Sequence, residues 1–167
     1  MYQKLVVYFS ANKEIAQFAE LLADAMDADL FDADLLMEKC GDTALAGSLM
    51  CQDCEVSNDR NSRDLIKQFR DRMETYDLVY IGFPARKSEV SQSILSMKCD
   101  VFSNKIIVPF CLTENQNAKQ IEEFVRQYYT GATVLQAAIL SADMSLEELS
   151  DWGKMMEMIA ENTASYK

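Results

Sequence analysis

The sequence predicts an α/β fold in which helices cover both faces of a five-stranded parallel sheet. Short, continuous apolar runs recur along the chain, and such runs are typical of strands that are buried on both faces. Stretches with apolar residues at helical spacing separate these runs, and the alternation indicates right-handed β-α-β units around a parallel sheet. The expected architecture is therefore a three-layer α/β/α sandwich.

Five segments carry the strand pattern. The first is the run from Leu5 to Phe9, and the third stops at Pro84, whose nitrogen cannot donate to a sheet ladder. In chain order, the five predicted strands are residues 5–9, 28–33, 77–83, 105–111 and 132–140.

Apolar residues at helical spacing predict the helices between and after the strands. Their expected buried faces are Ile15, Phe18, Ala19, Leu22 and Met26; Leu65, Ile66, Phe69 and Met73; Val90, Ile94, Leu95 and Met97; Ile121, Phe124, Val125 and Tyr128; and Leu149, Trp152, Met156 and Ile159. Ser145 and Glu148 form a predicted capping box at the start of the last helix. We find no repeat or low-complexity linker, so residues 1–167 are expected to form a single domain.

The composition limits the classes of function. A formal net charge of −11 repels nucleic acid and anionic membranes, and it favours either a basic partner or simple solubility. Histidine is absent, which removes the most common general base and zinc ligand. No apolar run approaches the roughly 20 residues that span a bilayer, and no signal peptide precedes the first strand. We therefore expect a cytoplasmic protein without a nucleic-acid or membrane partner.

Three cysteines lie in a polar stretch at residues 38–60, namely Cys40, Cys51 and Cys54. A redox role for the last two would need a stabilised thiolate, but Asp53 and Glu55 are acidic neighbours that raise thiol pKa values. A zinc site needs about four ligands, whereas this stretch offers three cysteines and the chain has no histidine. We interpret these residues as structural thiols, a regulatory disulfide remains an alternative, and no metal site is expected.

Any ligand site is expected at one edge of the sheet. In open parallel sheets, ligands bind beyond the carboxyl ends of the strands, where the strand order reverses. Three predicted loops lie at such ends, at residues 10–15, 84–90 and 111–117. This argument from position needs no motif.

Four stretches resemble short-chain flavodoxins, and the similarity extends from Lys4 to about Ile159. Residues 8–10 read YFS before an amphipathic helix, 76–84 read YDLVYIGFP, 108–111 read VPFC, and 131–135 read GATVL. The resemblance implies the strand order 2-1-3-4-5, with FMN at the switch point. It also implies electron transfer by this flavin nucleotide and a basic redox partner for the acidic surface.

The first loop departs from the family pattern, in which hydroxyls and N–H groups at a helix start hold the FMN phosphate. Ser10 is kept, and Asn12 can replace one hydroxyl contact and cap the helix. Lys13 replaces a glycine, Glu14 adds a negative charge, and the Ile15 side chain donates nothing. At least two hydroxyl donors are lost, and each is worth about 1.5–3 kcal/mol against a charged acceptor, so affinity falls by about a hundredfold or more. A capped helix start that holds no phosphate is the alternative.

The second loop contains Pro84, Ala85, Arg86, Lys87 and Ser88, without the tryptophans that close relatives stack on the flavin ring. Arg86 can stack its planar guanidinium on a ring. Together with Lys87, it would favour the anionic reduced flavin, which predicts a less negative reduction potential than is typical of the family. A solvated basic turn is the alternative.

The third loop lacks the glycines that relatives place against the flavin edge. It begins with Cys111 and Leu112, and Thr113, Asn115 and Asn117 offer polar groups. The Cys111 thiol can contact a ring at this position, or it can serve as a small buried hydrophobe.

Two classes of function follow. The first is an FMN-binding electron carrier or small FMN-dependent oxidoreductase, in which the flavin does the redox chemistry and no histidine is needed. The second is a flavodoxin-fold protein that has lost FMN and acts as a binding or regulatory module. A fold alone cannot choose between them, because function belongs to sites.

Overall fold

The computed structural model describes residues 1–9, 13–34, 67–68, 70–83, 102–112 and 118–165. The strands are β1 (Lys4–Tyr8), β2 (Asp29–Asp32), β3 (Leu78–Gly82), β4 (Ile106–Cys111), β5 (Thr133–Val134) and β6 (Ala138–Ile139). The helices with defined bounds are α1 (Lys13–Met26), α2 (Ala118–Tyr128) and α3 (Leu146–Ala164). A helical segment at residues 70–73 precedes β3.

The strands form one parallel sheet in the order β2-β1-β3-β4-β5, and β6 pairs with β4 nearer its carboxyl end. Residues of β1 alternate between the two faces, with Leu5 and Val7 on one side and Val6 on the other. The first face packs against α2 and the 70–73 segment, and the second packs against α1 and α3. The predicted strand order and the three-layer arrangement are therefore confirmed.

The prediction of one continuous strand at residues 132–140 is wrong, because β5 and β6 share that position. The Leu135 N–H donates to the Ile107 carbonyl at 2.8 Å, and the Leu140 N–H donates to the Cys111 carbonyl at 2.8 Å. Pro109 lies midway between these acceptors and faces the same side of β4, but it has no N–H to offer. The N–H of Ala137 instead donates to Glu122 Oε2 on α2 at 3.2 Å.

The capping box of α3 is confirmed, because Ser145 and Glu148 satisfy each other's backbone N–H groups. The prediction that Ile159 is buried is wrong, since its side chain is 41% exposed. The buried residues of α3 are Leu149, Gly153, Met156 and Ala160. Gly153 lies against Met26, whose side-chain atoms would be 2.8 Å from a Cβ at that position. The four buried residues form one face of α3, and Ile159 lies outside that face.

Several predicted features lie outside the described residues. They are the helix at 90–97, the helix residues Leu65, Ile66 and Phe69, and the cysteines Cys40, Cys51 and Cys54. Met73, which belongs to the same predicted helix face as Leu65, is buried in the core. Within the described part of the chain, no helix is both long and apolar enough to cross a membrane.

Candidate functional site

The carboxyl ends of the central strands lie level with one another. Tyr8 at the end of β1 is paired with Asp32 of β2 and Gly82 of β3, and Gly82 is paired with Phe110 of β4. The strand order reverses between β1 and β3, which is where open sheets of this kind bind ligands. The chain leaves the sheet here at Phe9, Phe83 and Leu112, directly before the loops that the sequence singles out.

The start of α1 faces this edge. By helix geometry, the first N–H groups of α1 have no acceptor within the helix and point back toward the end of β1. These groups, together with the aligned peptide dipoles, favour a negatively charged ligand. Lys13 and Glu14 are exposed at this helix start, whereas Ile15 is buried in the core against Phe18. Ile15 could therefore offer a ligand only its backbone N–H.

The base of the edge is built from aromatic rings on both faces of the sheet. On one face, Phe9 and Phe83 stack with ring centroids 6.1 Å apart at an interplanar angle of 25°. On the other face, the rings of Phe18 and Phe110 lie 6.0 Å apart. All four side chains are buried. The strand ends from which the loops begin are thus packed against buried aromatic rings, which exclude water there.

Gly82 of β3 lies against the side chain of Phe110, its partner in β4. A Cβ at Gly82 would lie 2.7 Å from Cζ of the Phe110 ring, closer than carbon atoms normally approach. The Phe83 N–H also donates to the Phe110 carbonyl at 2.9 Å. The roles of Gly82 and Phe110 in this contact were not predicted from the sequence, although aromatic residues close to the end of a strand are a visible signal.

The β2 side of the edge is acidic. Burial raises the pKa of the Tyr8 phenol, and the carboxylates of Asp32 and Glu20 raise it further. Asp32 Oδ1 also accepts a hydrogen bond from the Asp34 N–H at 3.0 Å. Tyr8 therefore keeps its proton at neutral pH.

The third loop begins with side chains that are largely packed. Cys111 is fully buried in the same cluster as Phe9 and Phe83, and Leu112 is partly buried on the opposite face. The thiol therefore occupies the position of a small core residue. In the described portion of the chain, no three acidic or cysteine side chains come together as metal ligands.

The remaining predicted site residues lie outside the described residues. They are Ser10 and Asn12 in the first loop, Pro84, Ala85, Arg86, Lys87 and Ser88 in the second, and Thr113 and Asn115 in the third. Each of these stretches directly adjoins a described strand end or helix start. The sheet register thus fixes where each stretch leaves the sheet.

Comparison with known proteins gives a family. A model of the flavodoxin family matches residues 3–156 of the chain. No curated protein sequence matches the chain.

Solved structures give the fold independently. A provisionally assigned flavoprotein from Bacteroides eggerthii DSM 20697 has a TM-score of 0.57 at 18% identity, over 93% of this chain and 98% of the other. A second one, from Bacteroides uniformis ATCC 8492, has a TM-score of 0.57 at 24% identity, over 92% and 98% of the two chains. A flavoprotein from Lactobacillus acidophilus NCFM, solved in complex with FMN, is less similar, with a TM-score of 0.48 at 16% identity over 83% and 93%.

Proposed function

The chain belongs to the flavodoxin family, and on that premise we propose that it binds FMN at the carboxyl edge of the sheet. Its role would be that of an electron carrier or a small FMN-dependent oxidoreductase. The observation that carries the proposal is the meeting of three loop origins and the start of α1 at the β1–β3 switch point. This position is where the fold presents an anion-binding helix start beside an apolar base.

The phosphate of FMN would lie at the start of α1. Ser10 and Asn12 would supply side-chain donors, and the first-turn N–H groups of Lys13, Glu14 and Ile15 would supply backbone donors. The exposed ammonium of Lys13 adds a favourable charge. This donor set suits a dianionic group, although it has fewer hydroxyls than the family pattern.

The flavin ring would lie between the second and third loops. The residues proposed to contact it are Pro84, Ala85, Arg86, Lys87, Ser88, Cys111, Leu112, Thr113 and Asn115. Because the Cys111 side chain is buried in the core, its contribution would be to support the strand end from which the third loop begins. Arg86 can stack on a planar ring, which would replace the missing aromatic side chains.

Bound FMN would supply the redox chemistry, and the protein would position and shield it. The buried rings of Phe9, Phe83 and Phe110 keep water away from the base of the site. No side chain needs to act as a general acid or base, so the absence of histidine is compatible with this function. The net charge of −11 would favour a basic redox partner by long-range attraction.

A flavin titration tests the proposal. We expect the purified protein to show a flavin absorption spectrum, or the apo form to quench FMN fluorescence as it binds. Lys13→Gln should weaken binding several-fold at low salt, and the difference should shrink at high salt because the lysine charge is screened.

Lys154→Gln is the matched control, since Lys154 is an exposed lysine on α3 whose partner is Asp151 at 3.7 Å. It should leave FMN affinity unchanged. A colourless protein that leaves FMN fluorescence unchanged at high micromolar concentration would refute FMN binding and support the cofactor-free binding module. Equal losses in the two lysine variants would show that Lys13 acts only through net charge.

A further inference from the structure

The outer side of α3 carries exposed apolar side chains that no described residue covers. Met155, Met158 and Ile159 are 50%, 63% and 41% exposed, and their spacing places them on adjacent turns of one helix face. We call these three residues the methionine patch. Trp152 lies one turn before Met155 and is half-buried, with its ring 5.6 Å from that of Tyr80 in the core. The patch therefore continues outward from the hydrophobic core.

The methionine patch lies at the opposite end of the sheet from the proposed flavin site. Glu157, within the patch segment, forms an ion pair with Lys4 at 3.1 Å, and Lys4 is the first residue of β1. The pKa of Tyr2, which precedes β1, is raised by burial and then by the carboxylates of Glu161, Asp77 and Glu157. The second half of α3 is thus beside the amino ends of the strands. A partner seated there leaves the carboxyl edge open.

Helices α1 and α3 form the helix layer on this face of the sheet, and the charge of this layer favours a basic partner. Together, α1 and α3 carry eight carboxylates and two lysines, whereas α2 carries two acidic and two basic side chains. Asp151 and Glu161 lie one turn before Met155 and after Met158, at the two ends of the patch. Asp151 also pairs with the exposed Lys154 at 3.7 Å, and Lys154 is the one basic side chain of α3. A second copy of this chain would also carry a net charge of −11, and the repulsion between like charges disfavours contact between two copies.

We propose that the methionine patch docks a basic amphipathic segment of another protein, with apolar residues at helical spacing and Lys or Arg beside them. Methionine side chains are flexible and polarizable, so they adapt to apolar partners of different shape. The flanking carboxylates attract the basic side chains and set the orientation of the segment. Recognition of an amphipathic helix through its apolar face is an established mode of peptide binding. The inference does not depend on flavin binding.

The experiment uses the full chain and a synthetic helical peptide of leucine and lysine, with leucines on one face. Trp152 is the only tryptophan in the sequence and adjoins the patch, so its fluorescence reports binding. We expect the peptide to shift this emission to shorter wavelength and to bind more weakly as salt rises. The double variant Met155→Ser/Met158→Ser should weaken binding by about tenfold or more.

Leu146→Ser is the matched control, because Leu146 is a 53% exposed apolar residue at the other end of the same helix. It should bind the peptide as the unmodified protein does, and circular dichroism should show that all variants are folded. Equal peptide affinity of the double variant and the control would overturn the proposal. Tighter binding of a leucine–glutamate peptide than of the leucine–lysine peptide would also overturn it. The same holds if the patch is required for binding to vesicles of phosphatidylserine and phosphatidylcholine. Dimerisation in sedimentation experiments that depends on the patch would overturn it as well. Because the readout needs no flavin, a failure of FMN binding would leave this result unaffected.

Discussion

The ring of Phe110 lies directly against Gly82 in the neighbouring strand, where a Cβ would come within 2.7 Å of the ring. The contact joins β3 to β4 two residues before the second loop, at Gly82, and one residue before the third loop, at Phe110. The same ring lies 6.0 Å from that of Phe18 on α1. Phe110 therefore contacts both β3 and α1 near the carboxyl edge.

Gly82→Ala should destabilise the fold, because the added methyl group meets a ring that is packed on its far side by Phe18. Overpacking of this kind lowers the free energy of unfolding by about 1–3 kcal/mol. Chemical denaturation of the variant measures the change. In a double-mutant cycle with Phe110→Leu, the smaller side chain should relieve most of the added loss. If Gly82→Ala costs the same in both backgrounds, the ring is not the cause.

Tyr80→Phe should leave stability unchanged or raise it slightly. The Tyr80 hydroxyl is buried and has no hydrogen-bond partner among the described residues, so its removal abolishes a desolvation penalty rather than a bond. Tyr76→Phe is the matched comparison, because the Tyr76 hydroxyl donates to Asp29 and accepts from Arg72 Nε at 3.3 Å. That variant should lose about 1–3 kcal/mol of unfolding free energy. Urea denaturation of both variants checks the contrast, and equal losses would contradict it.

The capping box of α3 should make stability depend on pH in the acid range. Hydrogen bonds from the Ser145 N–H and hydroxyl lower the pKa of Glu148 below its ordinary value of 4.5. A carboxyl group with a lowered pKa in the folded state stabilises the protein above the ordinary value, and this contribution is lost as the pH falls through the folded-state pKa.

The comparison of the native protein with Glu148→Gln tests this dependence. Thermal unfolding should show the native protein to be more stable at neutral pH, and the difference should shrink below the ordinary carboxyl pKa. Ser145→Ala removes the hydroxyl that accepts from the Glu148 N–H. It should lower the unfolding free energy by about 1 kcal/mol. A difference between native protein and Glu148→Gln that stays constant across this range would mean that the carboxylate is not part of the cap.

Arg86 and Lys87 give the proposed flavin a characteristic redox signature. Positive side chains beside the ring would stabilise its anionic reduced form, so we expect a less negative reduction potential than a typical flavodoxin has. The double variant Arg86→Gln/Lys87→Gln should shift the potential to a more negative value. Spectroelectrochemical titration measures it, with Lys154→Gln as the charge-matched control for one lysine. An ordinary, very low potential in the native protein would refute the assignment.

The architecture could be predicted because its signals are local. The run from Leu5 to Phe9 is apolar on both faces, and β1 is indeed buried on both faces. The strand order followed from the family resemblance and is confirmed. The division of the fifth strand was not predicted, although Pro109 offered a signal: a proline in mid-strand has no N–H to donate to the neighbouring strand. The Ala137 N–H donates to Glu122 instead. The position of Glu122 depends on how α2 packs.

The candidate site was predicted at the level of loops rather than contacts. Position in the sheet identified the edge, and Lys13 and Glu14 are exposed there as expected for a helix start. The ring pairs Phe9–Phe83 and Phe18–Phe110 were not predicted, because each joins residues from different elements. Periodicity tells which side of an element is apolar, but it does not tell which ring meets which.

The sequence by itself determined the alternation of strands and helices, the parallel sheet and the capping box of α3, because these depend on residues close together in the chain. Only the tertiary structure decided that Gly82 lies against Phe110, that Gly153 lies against Met26, that Ile159 is exposed, and that the fifth strand divides opposite Pro109. Each of these depends on close packing between distant segments. Such packing is set by side-chain volume and hydrogen-bond geometry across elements, which one-dimensional patterns do not record.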